Sequence, residues 1–150
     1  MKSILLIPFL LLGIFSKGNS ISKGNLLNEK GSIIITIKNI KAVDGAIKLA
    51  LYNKAEGFLG EGSFLTSNET VAGKDEVTIR LDHIPFGTYA ISLYHDENGN
   101  GELDKFLGFI PKEPYGFSND ARGSMGPPTY DQSKFDLKES ELKMTITIDK

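Results

Sequence analysis

Apolar residues recur at every second position along much of this chain, and that rhythm limits what it can fold into. Ile33, Ile35 and Ile37 fall on one face of an extended segment, with Thr36 and Lys38 on the other. Ile47, Leu49 and Leu51 alternate with Lys48 and Ala50, and Val77, Ile79 and Leu81 alternate with Glu76, Thr78, Arg80 and Asp82. Tyr89, Ile91 and Leu93 alternate with Thr88, Ala90 and Ser92; near the end, Leu142, Met144, Ile146 and Ile148 alternate with Lys143, Thr145, Thr147 and Asp149. A period of two places successive side chains on opposite faces of a strand, so each segment has one face to bury. Many of these positions are β-branched, which suits a pleated surface.

Turn residues separate the segments. Val43-Asp44-Gly45 reads as a turn between the first two strands, and Pro85-Phe86-Gly87 as a turn before the Tyr89 strand. Phe106 to Ile110 and Lys134 to Leu137 are shorter strand candidates. No segment carries a helical repeat, and Gly57, Gly60 and Gly62 mark Asn53 to Phe64 as loop. About seven strands, each with one apolar face, must cover one another. The expected fold is therefore all-β: a single antiparallel β-sandwich domain over residues 32–150. An up-and-down barrel is the other architecture that meets the requirement.

The first residues have a different character. Lys2 is followed by an almost unbroken apolar stretch from Ile4 to Phe15, then by small and polar residues as far as Ser20. The apolar part is shorter than the ~20 residues that span a bilayer, so residues 1–20 read as a cleaved secretory signal. Residues 21–31 read as a flexible, polar lead-in. The expected location is outside the cytoplasm, periplasmic or secreted, with no membrane span after cleavage. About 130 residues then remain, enough for one domain with a real core. There is no cysteine, hence no disulfide, thiolate site or lipid-anchored cysteine. Removing residues 1–20 deletes Lys2 and Lys17 and no acid, taking the formal charge from −2 to −4. A mildly acidic exported domain has no overall electrostatic reason to bind nucleic acid or anionic lipid.

The most chemically pointed stretch is His95-Asp96-Glu97-Asn98-Gly99-Asn100-Gly101-Glu102-Leu103-Asp104. Oxygen-bearing side chains stand at every second position, and two glycines let the backbone curl, as a hard cation such as Ca²⁺ requires. Set against the EF-hand template, Asp96, Asn98 and Asn100 match the first, third and fifth positions, Gly101 the turn glycine, and Asp104 the ninth. Leu107 stands where the bidentate glutamate belongs, so this is not an EF-hand. The candidate ligands for Ca²⁺ are Asp96, Asn98 and Asn100 through their side chains, Glu102 through its carbonyl, and Asp104 closing the loop. So few carboxylates imply a weak site, in the ~10⁻⁴ to 10⁻³ M range. The competing reading is a solvated turn, since Asn, Asp and Gly also make turns. His95 continues the inward alternation of Ile91 and Leu93 and is expected to point to the core, hydrogen-bonding backbone in the acidic loop. Two histidines and no cysteine make a poor case for zinc.

Residues 111–129 hold four prolines, three glycines and the aromatics Tyr115 and Phe117. Connections of that length are functional or packed on themselves. Tyr115 and Phe117 are expected to cover an end of the sandwich. With His95, Ser118 and Asn119 they also form a candidate ligand-facing loop.

The acidic loop, Gly108, Pro111-Lys112-Glu113 and Tyr115-Gly116-Phe117-Ser118-Asn119 together resemble an uncharacterised bacterial family, domain of unknown function 2141. The likeness covers roughly residues 32–149 and extends to Pro128 and to Lys134-Phe135. Pro114 departs from it, standing where a small residue is expected. The resemblance implies a small exported β-protein of Gram-negative bacteria with no established activity, and a common end for the two motifs, with Asn119 or Asp120 completing an ion site. The architecture is similar to transthyretin-like and immunoglobulin-like sandwiches, a fold-level likeness that does not fix function.

Two classes of function follow. One is a binding or structural module of the cell envelope, its loop end ordered by Ca²⁺, its partner an envelope protein, a peptide or a glycan. An outward row of Tyr115, Phe117 and Tyr130 would favour a glycan or peptide. The other is a metal-assisted hydrolase using Asp96, Asp104 and His95, which needs an open coordination position and a concave site. No Gly-x-Ser-x-Gly elbow supports it, and Ser118 has no evident base.

Overall fold

The computed structural model describes residues 29–60, 62–108 and 110–150. The signal reading over residues 1–20 and most of the lead-in lie outside the described residues. Ten strands follow one another: β1 (Lys30–Ile40), β2 (Ala46–Tyr52), β3 (Thr66–Val71), β4 (Asp75–Pro85), β5 (Gly87–Asp96), β6 (Lys105–Phe106), β7 (Ile110–Pro111), β8 (Tyr115–Phe117), β9 (Phe135–Leu137) and β10 (Glu141–Thr147). A 3-10 turn at Ser118–Asp120 and one short helix, α1 (Tyr130–Ser133), lie between β8 and β9.

The strands form a three-stranded sheet, β10-β1-β4, and a five-stranded sheet, β3-β2-β5-β8, to which β9 adds by pairing with β5. β6 and β7 form a separate two-stranded hairpin. The alternation read from the sequence is the alternation that is buried. Ile33, Ile35 and Ile37 of β1, Ile79 and Leu81 of β4 and Ile146 of β10 enter one hydrophobic cluster with Ile47, Leu49 and Leu51 of β2 and Tyr89, Ile91 and Leu93 of β5. Each fully buried residue of this size stabilises the fold by roughly 1.5–3 kcal/mol relative to exposure. At the end of β1 the register shifts between Lys38 and Ile40, with Asn39 at φ 69. That irregularity returns Ile40 to the core where strict alternation would turn it outward.

The structure corrects several expectations. No barrel closes among the described residues; the sheets remain separate. Among the described residues the strands number ten rather than about seven, because four pieces of two or three residues join the six longer ones. Antiparallel pairing fails at one place: β1 and β10 run parallel, with Ile33 opposite Leu142 and Ile37 opposite Ile146. Parallel neighbours need a long connection, and almost the whole chain lies between these two. β1 begins at Lys30, inside the expected lead-in, and Glu29 already accepts the Phe86 N–H at 2.9 Å. β3 went unread because Thr66-Ser67-Asn68-Glu69-Thr70-Val71 contains one large apolar residue, and Val71 is exposed. The helix α1 has a capping box in which the Thr129 hydroxyl accepts the Gln132 N–H and the Gln132 side chain accepts the Thr129 N–H. Among the described residues no helix is long and apolar enough to cross a membrane.

Candidate functional site

β5 delivers His95 and Asp96 together at its end, on opposite faces of the sheet. His95 is fully buried, 0 % exposed. Its Nε2 lies 2.7 Å from the Asp44 carbonyl oxygen. A carbonyl only accepts, so Nε2 is the donor in this contact. Nδ1 is buried and has no partner among the described residues. The backbone partner of His95 is therefore the β1–β2 turn, not the acidic loop, and its ring offers nothing to a substrate. Gly45 completes this seat. It sits at φ 77, and a Cβ there would come within 1.9 Å of the Asp96 carbonyl oxygen.

Asp96 is 1 % exposed. Its Oδ1 accepts the Asn100 N–H at 3.1 Å and its Oδ2 the Gly101 N–H at 2.9 Å, so the loop curls around this carboxylate. Asn98 Oδ1 also accepts the Asn100 N–H, at 3.0 Å, and Asn100 Oδ1 accepts the Glu102 N–H at 2.8 Å. The amide nitrogens of Asn98 and Asn100 donate to the two carboxylate oxygens of Asp104, at 2.8 and 3.2 Å. Four of the five sequence-derived ligands, Asp96, Asn98, Asn100 and Asp104, thus form one network; Glu102 joins through its backbone N–H, and its side chain is exposed. Gly99 and Gly101 supply the positive φ values, 72 and 87, that the curl needs.

Glu113 was not among those ligands. It is 4 % exposed, and its carboxylate accepts the Glu97 N–H at 2.9 Å and the Asp104 N–H at 3.0 Å. It therefore closes the loop from outside. Lys112 N–H donates to the Asp104 carbonyl at 2.8 Å, and the Pro114 carbonyl accepts the His95 N–H at 2.8 Å. Proline keeps its carbonyl, so Pro114 serves this bond as a smaller residue would. No local sequence signal marks Glu113: its place is set by the strand β8 just after it, which pairs Tyr115 with Tyr94 on β5.

The outer face of the sheet adds cation and phenol. Lys48, opposite Tyr94 in the β2–β5 pair, places Nζ 2.9 Å from Glu69 and 3.8 Å from Asp96 Oδ2. The Glu69 carboxylate holds the Lys48 ammonium above its ordinary range. Tyr94 donates to the Gly101 carbonyl at 2.8 Å, and burial pushes its phenol up. Among the described residues no three His, Asp or Glu side chains converge closely enough to hold a metal ion. The oxygens available to a cation are instead shared between carboxylates, asparagine amides and backbone.

The second motif serves the fold. Phe117 is buried and Tyr115 half-buried, in edge-to-face contact at 5.9 Å. Gly116 lies where a Cβ would meet Ile146 Cγ2 at 2.8 Å, which brings β8 against β10. Tyr115 and Asp149 exchange both backbone hydrogen bonds, at 3.0 and 3.1 Å. The Ser118 hydroxyl is fully buried, donates to the Ser133 carbonyl at 2.6 Å and accepts the Ile91 N–H at 2.9 Å, so it is no nucleophile. Asn119 donates to the Lys134 carbonyl, and Asp120 accepts the Thr147 N–H. Both are thereby tied to the β9 and β10 segments rather than to an ion site. The outward aromatic row is not formed: Tyr130 packs edge-on to Phe58 and donates to the Thr88 carbonyl. A cavity of about 420 Å³ lies at Lys38–Lys41 and Lys74–Glu76. Its lining includes neither His95 nor any residue of the acidic loop, so it gives the hydrolase reading no substrate site.

The family described as "Uncharacterized protein conserved in bacteria (DUF2141)" matches residues 35–145. No curated protein and no solved structure matches the chain.

Proposed function

The chain belongs to this family of uncharacterized bacterial proteins, and we propose that it is an exported envelope module whose acidic loop takes up Ca²⁺ and thereby orders one end of the domain. Its two larger sheets, feeding one core, read as the layers of a sandwich with the acidic loop at one end. The module's task is binding or structural, toward an envelope protein, a peptide or a glycan.

One observation carries the calcium reading. Asp96 and Glu113 are both buried carboxylates of the same loop end, and the nearest ammonium to Asp96 is Lys48 at 3.8 Å. Buried charge is normally compensated by an opposite charge or a metal. Here backbone N–H groups stand in for that cation at Asp96 and Glu113, and the asparagine amides do so at Asp104. Asp96, Asn98, Asn100, the Glu102 carbonyl and Asp104 would hold the ion, and Glu113 supplies the carboxylate missing where Leu107 stands. For Asp104 to join, it must exchange its two amide donors for the cation. The exchange fits the weak affinity expected of so few carboxylates.

The test is thermal unfolding in chelator and in rising Ca²⁺. At tenfold excess over the dissociation constant, linkage stabilises the fold by about 1.4 kcal/mol. An unchanged unfolding midpoint up to ~10 mM Ca²⁺, an excess over the expected range, would reduce the loop to a self-closed turn.

A further inference from the structure

The hairpin that follows the acidic loop exposes what a water-soluble surface normally hides. Phe106 is 54 % exposed, Leu107 71 % and Ile110 46 %. Among the described residues the strands of the hairpin pair only with each other, Lys105 with Pro111 and Phe106 with Ile110. Its tip turns through Leu107 at φ 52 and Gly108 at φ 80. A leucine in the left-handed region costs backbone energy that asparagine or glycine would avoid. The sequence nevertheless displays an apolar side chain at the tip.

Two lysines stand at the open end of the hairpin, Lys105 beginning β6 and Lys112 following β7. Neither makes an ion pair among the described residues. The neighbouring acids are otherwise engaged. Asp96 and Glu113 are buried, Asp104 is held by Asn98 and Asn100, and Glu97 is paired with Lys150 at 3.1 Å. Glu102 is the acid of this loop left exposed without an ion pair among the described residues. The free charge at the hairpin's base is thus mainly cationic, set back from an apolar tip.

We propose that the hairpin Lys105–Lys112 docks on an anionic lipid bilayer surface, with Phe106, Leu107 and Ile110 entering the acyl boundary and Lys105 and Lys112 meeting the headgroups. Apolar side chains inserted at the interface with lysines at headgroup level are the two signals that reversible membrane attachment uses. The attraction is local to the hairpin, since the exported domain as a whole carries a formal charge of −4 once Lys2 and Lys17 are removed from a chain of −2. This inference stands independently of the calcium reading.

The experiment is sedimentation of the full exported chain with phosphatidylethanolamine–phosphatidylglycerol vesicles and with neutral phosphatidylcholine vesicles, in chelator and at low salt. Variants are Phe106→Ser/Leu107→Ser/Ile110→Ser and Lys105→Glu/Lys112→Glu, each checked for an unchanged circular dichroism spectrum. The N-terminal segment is common to all forms, so differences report the hairpin. The expected result is binding to the anionic vesicles that falls at least tenfold in each variant and is weaker on neutral vesicles, each lysine near the surface accounting for about fivefold. Equal binding by the parent chain and both variants would overturn the proposal, as would absence of binding to anionic vesicles. So would a parent chain that stays off vesicles yet dimerises through residues the triple serine variant removes, since that would assign the tip to a second copy.

Discussion

The Glu113 carboxylate accepts the backbone N–H of Asp104 at 3.0 Å, reaching back nine residues along the chain to close the acidic loop. Its other oxygen accepts the Glu97 N–H at 2.9 Å, so one buried side chain holds both ends of the loop. Glu113→Gln turns one acceptor into a donor that faces an N–H. The expected cost is about 1–3 kcal/mol of unfolding free energy, with faster hydrogen exchange at the Glu97 and Asp104 amides. Unaltered exchange at both amides would mean that Glu113 does not hold the loop.

Gly45 is the second fixed point. Alanine there meets the left-handed backbone penalty of about 1–2 kcal/mol, and its Cβ would lie 1.9 Å from the Asp96 carbonyl oxygen unless the turn moves. Moving the turn withdraws Asp44 from His95. Gly45→Ala is expected to destabilise by more than about 2 kcal/mol and to shift the His95 ring resonances. Near-native stability would mean the turn is not seated on β5.

Ser118 is a structural hydroxyl. Ser118→Ala leaves the Ile91 N–H and the Ser133 carbonyl without partners in a buried place, at about 1–3 kcal/mol each. Chemical denaturation should show a lower midpoint with an unchanged slope. A midpoint equal to that of the parent chain would contradict the assignment.

Acid should weaken the three-stranded sheet through its outer face. The Ser32 hydroxyl, then Arg80, holds Asp82 below the usual carboxylate range, and Arg80, then Lys143, does the same for Glu141. A depressed folded value means stability that is present above the unfolded value and is lost as pH falls through the folded one. The loss therefore begins near pH ~4 and completes below it. These groups are solvent-exposed, so the effect is small and shrinks with salt. Asp82→Asn should flatten the acid limb of the stability profile; a parent and variant with the same limb would remove this cluster from the explanation.

Much of the fold was legible because the signal was periodic. The residues read as one face of each long strand are those of the core, down to Tyr89 and Ile146. What was not legible depended on partners distant in sequence. β3 is polar because β2 shields only one of its edges, β8 is too short for a period, and the parallel placement of β10 beside β1 has no local signature. The acidic loop was visible from Asp96 to Asp104, but Glu113 was not. A carboxylate beside two prolines acquires its role only when β8 pairs with β5. The Tyr115–Asn119 motif was read as covering an end of the sandwich, with a ligand-facing role as the alternative; Gly116 against Ile146 and the buried hydroxyl of Ser118 tie it to the neighbouring strands.

The most direct test of the calcium reading is isothermal titration of the chain with Ca²⁺, with Asp104→Asn as control. Asp104 is half-buried and its partners are two amide donors, so the variant keeps the side chain's size while removing one charge and one acceptor, and its circular dichroism spectrum must match that of the parent chain. Saturable heat with a dissociation constant of ~10⁻⁴ to 10⁻³ M, lost in Asp104→Asn, is the predicted result. No saturable heat up to ~10 mM, well beyond that range, or equal heat from both proteins, would contradict it.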